Sequence, residues 1–307
     1  MIKNKLKLLL LMFSATVIVS CGGSSGTDEQ ANDDFAVPDS IIESEDEPLE
    51  VSEQAMDDII SNISSPIEMA ALIKESGAPI KLKILNDPDL VDNYNTSFKQ
   101  ALNLGVYGAD LGYLNMYNQT SSVLSYISAI KNLADDIQVG QFFDFNTLKR
   151  LATNNSNLDS LMYISVSSFD QMDVYLRENN RSNISALIVT GVWLEGAYLA
   201  TQVLKDKPNK EIAERIGEQK LVLNDILLIL NNYKRDKKFF DFAKEIEKIK
   251  DAYKDVTITY EVGEPEAVEV DGVLTIVQNE KSIVNITDEQ LANITKVVEE
   301  VRNSVIK

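Results

Sequence analysis

The chain has 307 residues, 48 of them acidic against 29 basic, with a formal charge of −19, a single cysteine and no histidine. That inventory excludes histidine-based triads, imidazole-ligated zinc, an intramolecular disulfide and a cysteine-ligated metal cluster, so any catalysis would fall to carboxylates, lysines, tyrosines or serines. The acidity also argues against nucleic acid as a partner and against electrostatic docking on anionic lipid.

Residues 1–20 begin with Lys3, Lys5 and Lys7 and continue as an apolar run from Leu8 to Val19. The run has the length of a signal peptide and falls short of the roughly 20 apolar residues of a comfortable membrane span. It ends Ile18-Val19-Ser20-Cys21, which resembles the lipobox of bacterial lipoproteins. The resemblance implies that Cys21 becomes the lipidated first residue of the mature protein. Attachment to the membrane would then come from acyl chains, at about 0.8 kcal/mol per buried methylene. The alternative is an ordinary secretory peptide with a chance cysteine.

Residues 21–53 read as an acidic tether. From Gly22 to Ile73 there are fourteen acidic residues and no lysine or arginine. Such charge density with few bulky apolar residues predicts a disordered, self-repelling spacer. An acidic segment soon after a lipidated cysteine also resembles surface-export signals of Bacteroidota lipoproteins, a second reading of the same stretch.

Helical signals then occupy residues 54–255. Met56, Ile59, Ile60 and Ile63 predict a short first helix, and Ser65-Pro66-Ile67-Glu68 supplies the cap, N1 proline and capping-box glutamate of a second one. Asp87-Pro88 opens a long helix expected to run to about Tyr117. Thr120 or Ser121 caps the next, to about Ile137, and Asn146 caps a short one. Further helices are expected over 157–177, 183–204, 210–233 and 239–253. The helix over 183–204, nearly all apolar from Ile184 to Val192, is the expected central helix. The pattern turns β-like at Val256, and Asp271-Gly272 between two β-rich runs predicts a small hairpin or extended segment over 256–286. Thr287-Asp288-Glu289-Gln290 is a capping box, and a last helix over 287–307 has an apolar stripe with which to dock on the bundle. The fold class is therefore mainly α: a multi-helix bundle of packed hairpins with a small β segment near the C-terminus.

Two stretches within this bundle share a texture. Residues 105–119 read GVYGADLGYLNMYNQ and residues 191–201 read GVWLEGAYLAT. Glycine in a helix interior costs roughly 1 kcal/mol relative to alanine, so Gly105, Gly108, Gly112, Gly191 and Gly196 call for a reason, and close helix packing is the first one. Each stretch also places a carboxylate among aromatics: Asp110 with Tyr107, Tyr113 and Tyr117; Glu195 with Trp193 and Tyr198. On a helical wheel Asp110 falls about 140–160° from the glycines, on the tyrosine side. A carboxylate in an apolar helix is costly unless paired, and tyrosine hydroxyls or Arg177 are the candidate partners. If Asp110 and Glu195 converged in an open cleft they would make a general acid–base pair or help to hold calcium. The structural alternative is that each acid is paired internally and that neither is catalytic. No metal or cofactor motif is present in the sequence.

Taken together, the lipobox and these two stretches resemble a group of uncharacterised Bacteroidota outer-membrane lipoproteins with a helical domain. The resemblance implies an all-helical fold at the outer membrane, on its periplasmic or surface-exposed face, and carries no activity. The sequence therefore points to a lipid-anchored, non-catalytic binding or scaffold module with an unknown protein or small-molecule partner. The alternative is a carboxylate-dependent hydrolase using Asp110 and Glu195.

Overall fold

The computed structural model describes residues 66–152, 158–270 and 273–307, all within the unit Pro48–Lys307. The signal-like segment, Cys21, the acidic tether, the helix expected near Met56, and the turns at 153–156 and 271–272 lie outside these residues. The fold is mainly helical with one two-stranded antiparallel hairpin near the C-terminus, as the sequence predicts. The helices are α1 (Pro66–Glu75), α2 (Ser97–Met116), α3 (Thr120–Asp136), α4 (Phe145–Ala152), α5 (Leu158–Glu178), α6 (Ser182–Asp206), α7 (Lys210–Asn231), α8 (Lys237–Ala252) and α9 (Asp288–Val305). The strands are β1 (Thr257–Val270) and β2 (Val273–Asn285), between α8 and α9.

Helix α6 is the centre. It is long and apolar enough to cross a membrane, yet 89% of its most apolar 18-residue window is buried inside the bundle. Helix α2 packs along it, and the two run parallel, since residues 105 and 191 meet near one end of the contact and 110 and 195 further along. At the crossing the backbones touch. A methyl group added at Gly105 would lie 2.1 Å from the Ile188 carbonyl oxygen, and one at Gly191 would lie 2.1 Å from the Leu102 carbonyl oxygen. No side chain fits in that gap, which is why both positions are glycine.

Three helix starts rest on local side-chain capping, and the box at Thr287 is legible in the sequence. Asn209 caps α7, Asp236 caps α8, and Thr287 with Gln290 forms the reciprocal box on α9. Each satisfies amide donors that have no partner inside the first turn. Elsewhere the cap moves. The short helix α4 starts from Asp144, whose Oδ1 accepts the Thr147 amide at 3.0 Å, and α3 follows Gln119 with no side-chain cap.

The long helix expected from Pro88 to Tyr117 is in fact divided. Asp87 does cap a helical turn with Pro88 at its start, but that turn is 3-10 and ends at Asn93. Thr96 is extended and accepts the Lys99 amide to begin α2 afresh. The break lets Tyr94 turn into the core, where its hydroxyl donates to the carbonyl of Ile306. Local capping signals do not register this long-range bond, so the sequence reads as one helix.

Candidate functional site

The face of α2 that carries Asp110 and the tyrosines is bonded to the irregular segment 78–87 that precedes it. Tyr117 donates its hydroxyl to the Ala78 carbonyl at 2.7 Å, and the Lys81 amide donates to the Tyr113 hydroxyl at 3.1 Å. The Asn86 amide donates to Asp110 Oδ2 at 3.0 Å, and Tyr107 donates to the Asp87 carbonyl at 2.8 Å. From 117 down to 107 the helix meets 78 up to 87, so the segment runs antiparallel to α2. Tyr126 of α3 adds a bond to the Asn86 carbonyl at 2.9 Å. Irregular backbone inside a protein must find partners for its amides and carbonyls, and these side chains supply them. The spacing 107, 110, 113/114, 117 is the period of one helix face. Burial pushes the Tyr117 hydroxyl up to about 12, with neighbouring Tyr113 adding to the shift, so it remains a protonated donor.

Asp110 and Glu195 converge. Both are completely buried, and the two carboxyl groups are close enough for the charge of Glu195 to act on Asp110. The helical wheel sets Asp110 on the tyrosine side, away from the glycines, and does not by itself point to this partner. The acid lies at the seam between the tyrosine face and the α6 contact, with one oxygen on Asn86 and its carboxyl also within reach of Glu195. Burial, and then the Glu195 charge, raise the Asp110 carboxyl well above the usual carboxylate range. Its Oδ1 receives no N–H or O–H donor. A protonated Asp110 resolves both facts, because the carboxyl then donates to Glu195 instead of facing a second negative charge.

The cation of the site is Arg302 of α9. Its Nε and Nη2 donate to the two oxygens of Glu195, both at 2.8 Å, and Nη2 also reaches the Ile84 carbonyl at 3.2 Å. Its guanidinium stacks 4.4 Å from the centre of the Tyr198 ring. Two acids and one arginine balance to neutrality when one proton is shared, the charge state that a sealed site favours. Arg177, the partner expected from sequence, pairs instead with Asp173 at 2.8 Å on its own helix. Trp193 points to α7, where its indole N–H donates to Gln219 at 2.9 Å.

Sequence reasoning missed Arg302 because it lies 107 positions from Glu195 on a helix that looks like an ordinary amphipathic cap. A buried arginine among Val298, Val301 and Val305 was the available signal. The glycine face likewise divides among neighbours. Gly105 meets α6, while a methyl at Gly108 would lie 2.9 Å from the Phe169 ring of α5. Gly112 and Gly196 have no heavy atom within 4 Å of such a methyl. Among the described residues no cluster of three acids, cysteines or histidines is arranged to hold a metal.

An accessible concavity lies elsewhere. A groove of about 530 Å³ opens between the end of α6, the start of α7, the last residues of β2 and the start of α9. Leu204, Ala213, Val284, Ile286 and Leu291 give it an apolar lining, and Lys205, Lys210, Glu214 and Asp288 stand among its polar residues. Its volume falls within the range of small-molecule clefts. Four separate elements build it, so no local pattern in the sequence marks it. Comparison with protein-family models, with curated proteins and with solved structures finds no match, and the function has to be read from these contacts.

Proposed function

We propose that the protein is a lipid-anchored module of a bacterial outer membrane, on its periplasmic or surface-exposed face, that binds or scaffolds a partner without catalysing a reaction on it. The observation that carries the non-catalytic half is access. Asp110 and Glu195 are both 0% exposed, and Glu195 spends both oxygens on Arg302. A general acid or base must come within hydrogen-bond reach of its substrate. The binding half draws support from the groove, whose lining suits an apolar or amphipathic small molecule. The anchored half draws its support from the lipobox-like run ending at Cys21.

Carboxylate-dependent hydrolysis is the competing reading, and the meeting of Asp110 with Glu195 is what favours it. The binding reading is tested in one comparison. A saturable, one-to-one enhancement of an environment-sensitive apolar fluorophore, lost when Ala213→Trp fills the groove but retained in Asp110→Asn, supports binding there. Binding unaffected by the filled groove counts against it. For the anchor, Cys21→Ser is expected to move the protein out of the membrane fraction, and full retention there would overturn lipidation at that residue.

A further inference from the structure

The hairpin is long for an appendage. Its strands have 14 and 13 residues, and at about 3.4 Å per residue it extends over roughly 45 Å. It is fastened to the bundle at its base. Val284 lies against Gly217 of α7, where an added methyl would come within 2.3 Å of it, and Ser282 donates to Glu218 at 2.6 Å. Lys220 donates to the Val256 carbonyl just before β1. Beyond that base Tyr260 is 55% and Val262 69% exposed, while the strands stay paired from Pro265 with Gln278 out to Val270 with Val273. Among the described residues the sheet has two strands, so each has one edge without a ladder partner. A two-stranded ribbon is marginal by itself, and an open edge is a template for another strand.

The two edges differ in chemistry. β1 carries Glu261, Glu264, Glu266 and Glu269, together with Pro265 and a register irregularity between Val262 and Pro265. Charge, proline and irregularity are devices that stop an edge from pairing. In β2, residues 273–279 read VLTIVQN: seven residues with no charge, no proline and no glycine, rich in β-branched side chains. That composition is the signature of a segment that pairs with its own copy. In a chain with a net charge of −19, a charge-free edge is also the place where two copies meet without repulsion.

We propose that two copies of the chain pair antiparallel through the outer edge of β2, about a two-fold axis at Ile276, to form a four-stranded sheet in the order β1-β2-β2-β1. An isologous contact of this kind is self-complementary and closes at two. It sets Thr275 opposite Val277 of the other copy and Ile276 opposite itself. It also leaves both acidic β1 edges on the outside of the sheet, where they block further addition.

The test is sedimentation of the full chain in detergent over a micromolar to sub-millimolar range, with the micelle contribution matched out. The expected result is a concentration-dependent dimer. Ile276→Lys, which keeps the backbone donors and places two like charges at the axis, is expected to abolish it, and Glu266→Lys on the guarded edge is expected to leave it intact. Cross-linking guards against a variant that merely unfolds the ribbon. In a Cys21→Ser background, Ile276→Cys is expected to give a covalent dimer on mild oxidation and Val268→Cys none. A monomer throughout the range would overturn the proposal, as would a dimer indifferent to Ile276→Lys or a cross-link at 268 instead of 276; the monomer would leave the edge to a foreign strand.

Discussion

Arg302 holds both oxygens of Glu195 at 2.8 Å, joining the last helix of the chain to the central one. The pair is buried on both sides, with the arginine side chain 4% and the glutamate 0% exposed. Removing one partner leaves the other charged in an apolar surround, which typically costs about 3–5 kcal/mol. Arg302→Leu is therefore expected to lower the urea midpoint strongly. Adding Glu195→Met to that variant is expected to restore much of the loss, because the stranded charge is gone. A double variant no better than Arg302→Leu would mean that the arginine acts through packing alone.

Asp110 gives the site a pH dependence with a definite sign. Its carboxyl is raised above the ordinary value of 3.8, so the folded protein keeps a proton that the unfolded chain releases. The stabilisation is complete below about pH 4 and is lost progressively as pH rises toward the folded value. Asp110→Asn mimics the protonated acid: the amide group donates to Glu195 and the oxygen accepts from Asn86. Thermal unfolding is expected to show the variant close to wild type near pH 4 and gaining on it steadily above. A constant deficit at every pH would place a charged Asp110 in the folded site.

The glycines make opposite predictions at adjacent turns. Gly105→Ala and Gly191→Ala place a methyl 2.1 Å from a carbonyl oxygen of the facing helix, and forcing α2 and α6 apart is expected to cost about 1–3 kcal/mol or more. Gly112→Ala and Gly196→Ala meet nothing within 4 Å. In a helix interior alanine is favoured over glycine by roughly 1 kcal/mol, so these two are expected to stabilise. Chemical denaturation of the four single variants checks the pattern, and destabilisation at all four would remove the distinction.

The hydroxyl ladder on α2 predicts a local effect. Tyr107→Phe leaves the carbonyl of Asp87 without its 2.8 Å donor, and losing one buried hydrogen bond typically costs about 1 kcal/mol. Hydrogen exchange is expected to rise at the segment 78–87 ahead of α6. Uniform loss of protection across the bundle would show that the tyrosine supports the whole core and not this segment.

Most of the described helices, the hairpin and the capping box at Thr287 are visible in the sequence, because periodicity and capping act over a few residues. That Gly105 meets a helix backbone follows from the same local logic, since glycine at helical spacing has few other uses; that the helix is α6 does not. Asp110 and Glu195 stand out for the same reason: a charge in an apolar run is conspicuous. Their pairing is another matter. It depends on Asn86 reaching Asp110 through its backbone and on Arg302 arriving from the end of the chain, and neither leaves a mark near the acids. The break at Tyr94 was hidden likewise, because Ile306 is what makes it favourable. Local pattern finds the groups that need partners and is silent on the partners that come from far away.

The final residues of the chain carry more of the structure than their position suggests. Arg302 neutralises Glu195 and bonds to Ile84, Val305 accepts from Asn103, and Ile306 accepts from Tyr94. All of these residues follow α6 and the segment before α2 in the chain, so they are made after the groups they serve. Until they are in place, Glu195 lacks the arginine that neutralises it and the segment before α2 lacks its clasp. Substitutions at 302–306 therefore act on the first helices as directly as on the helix that carries them.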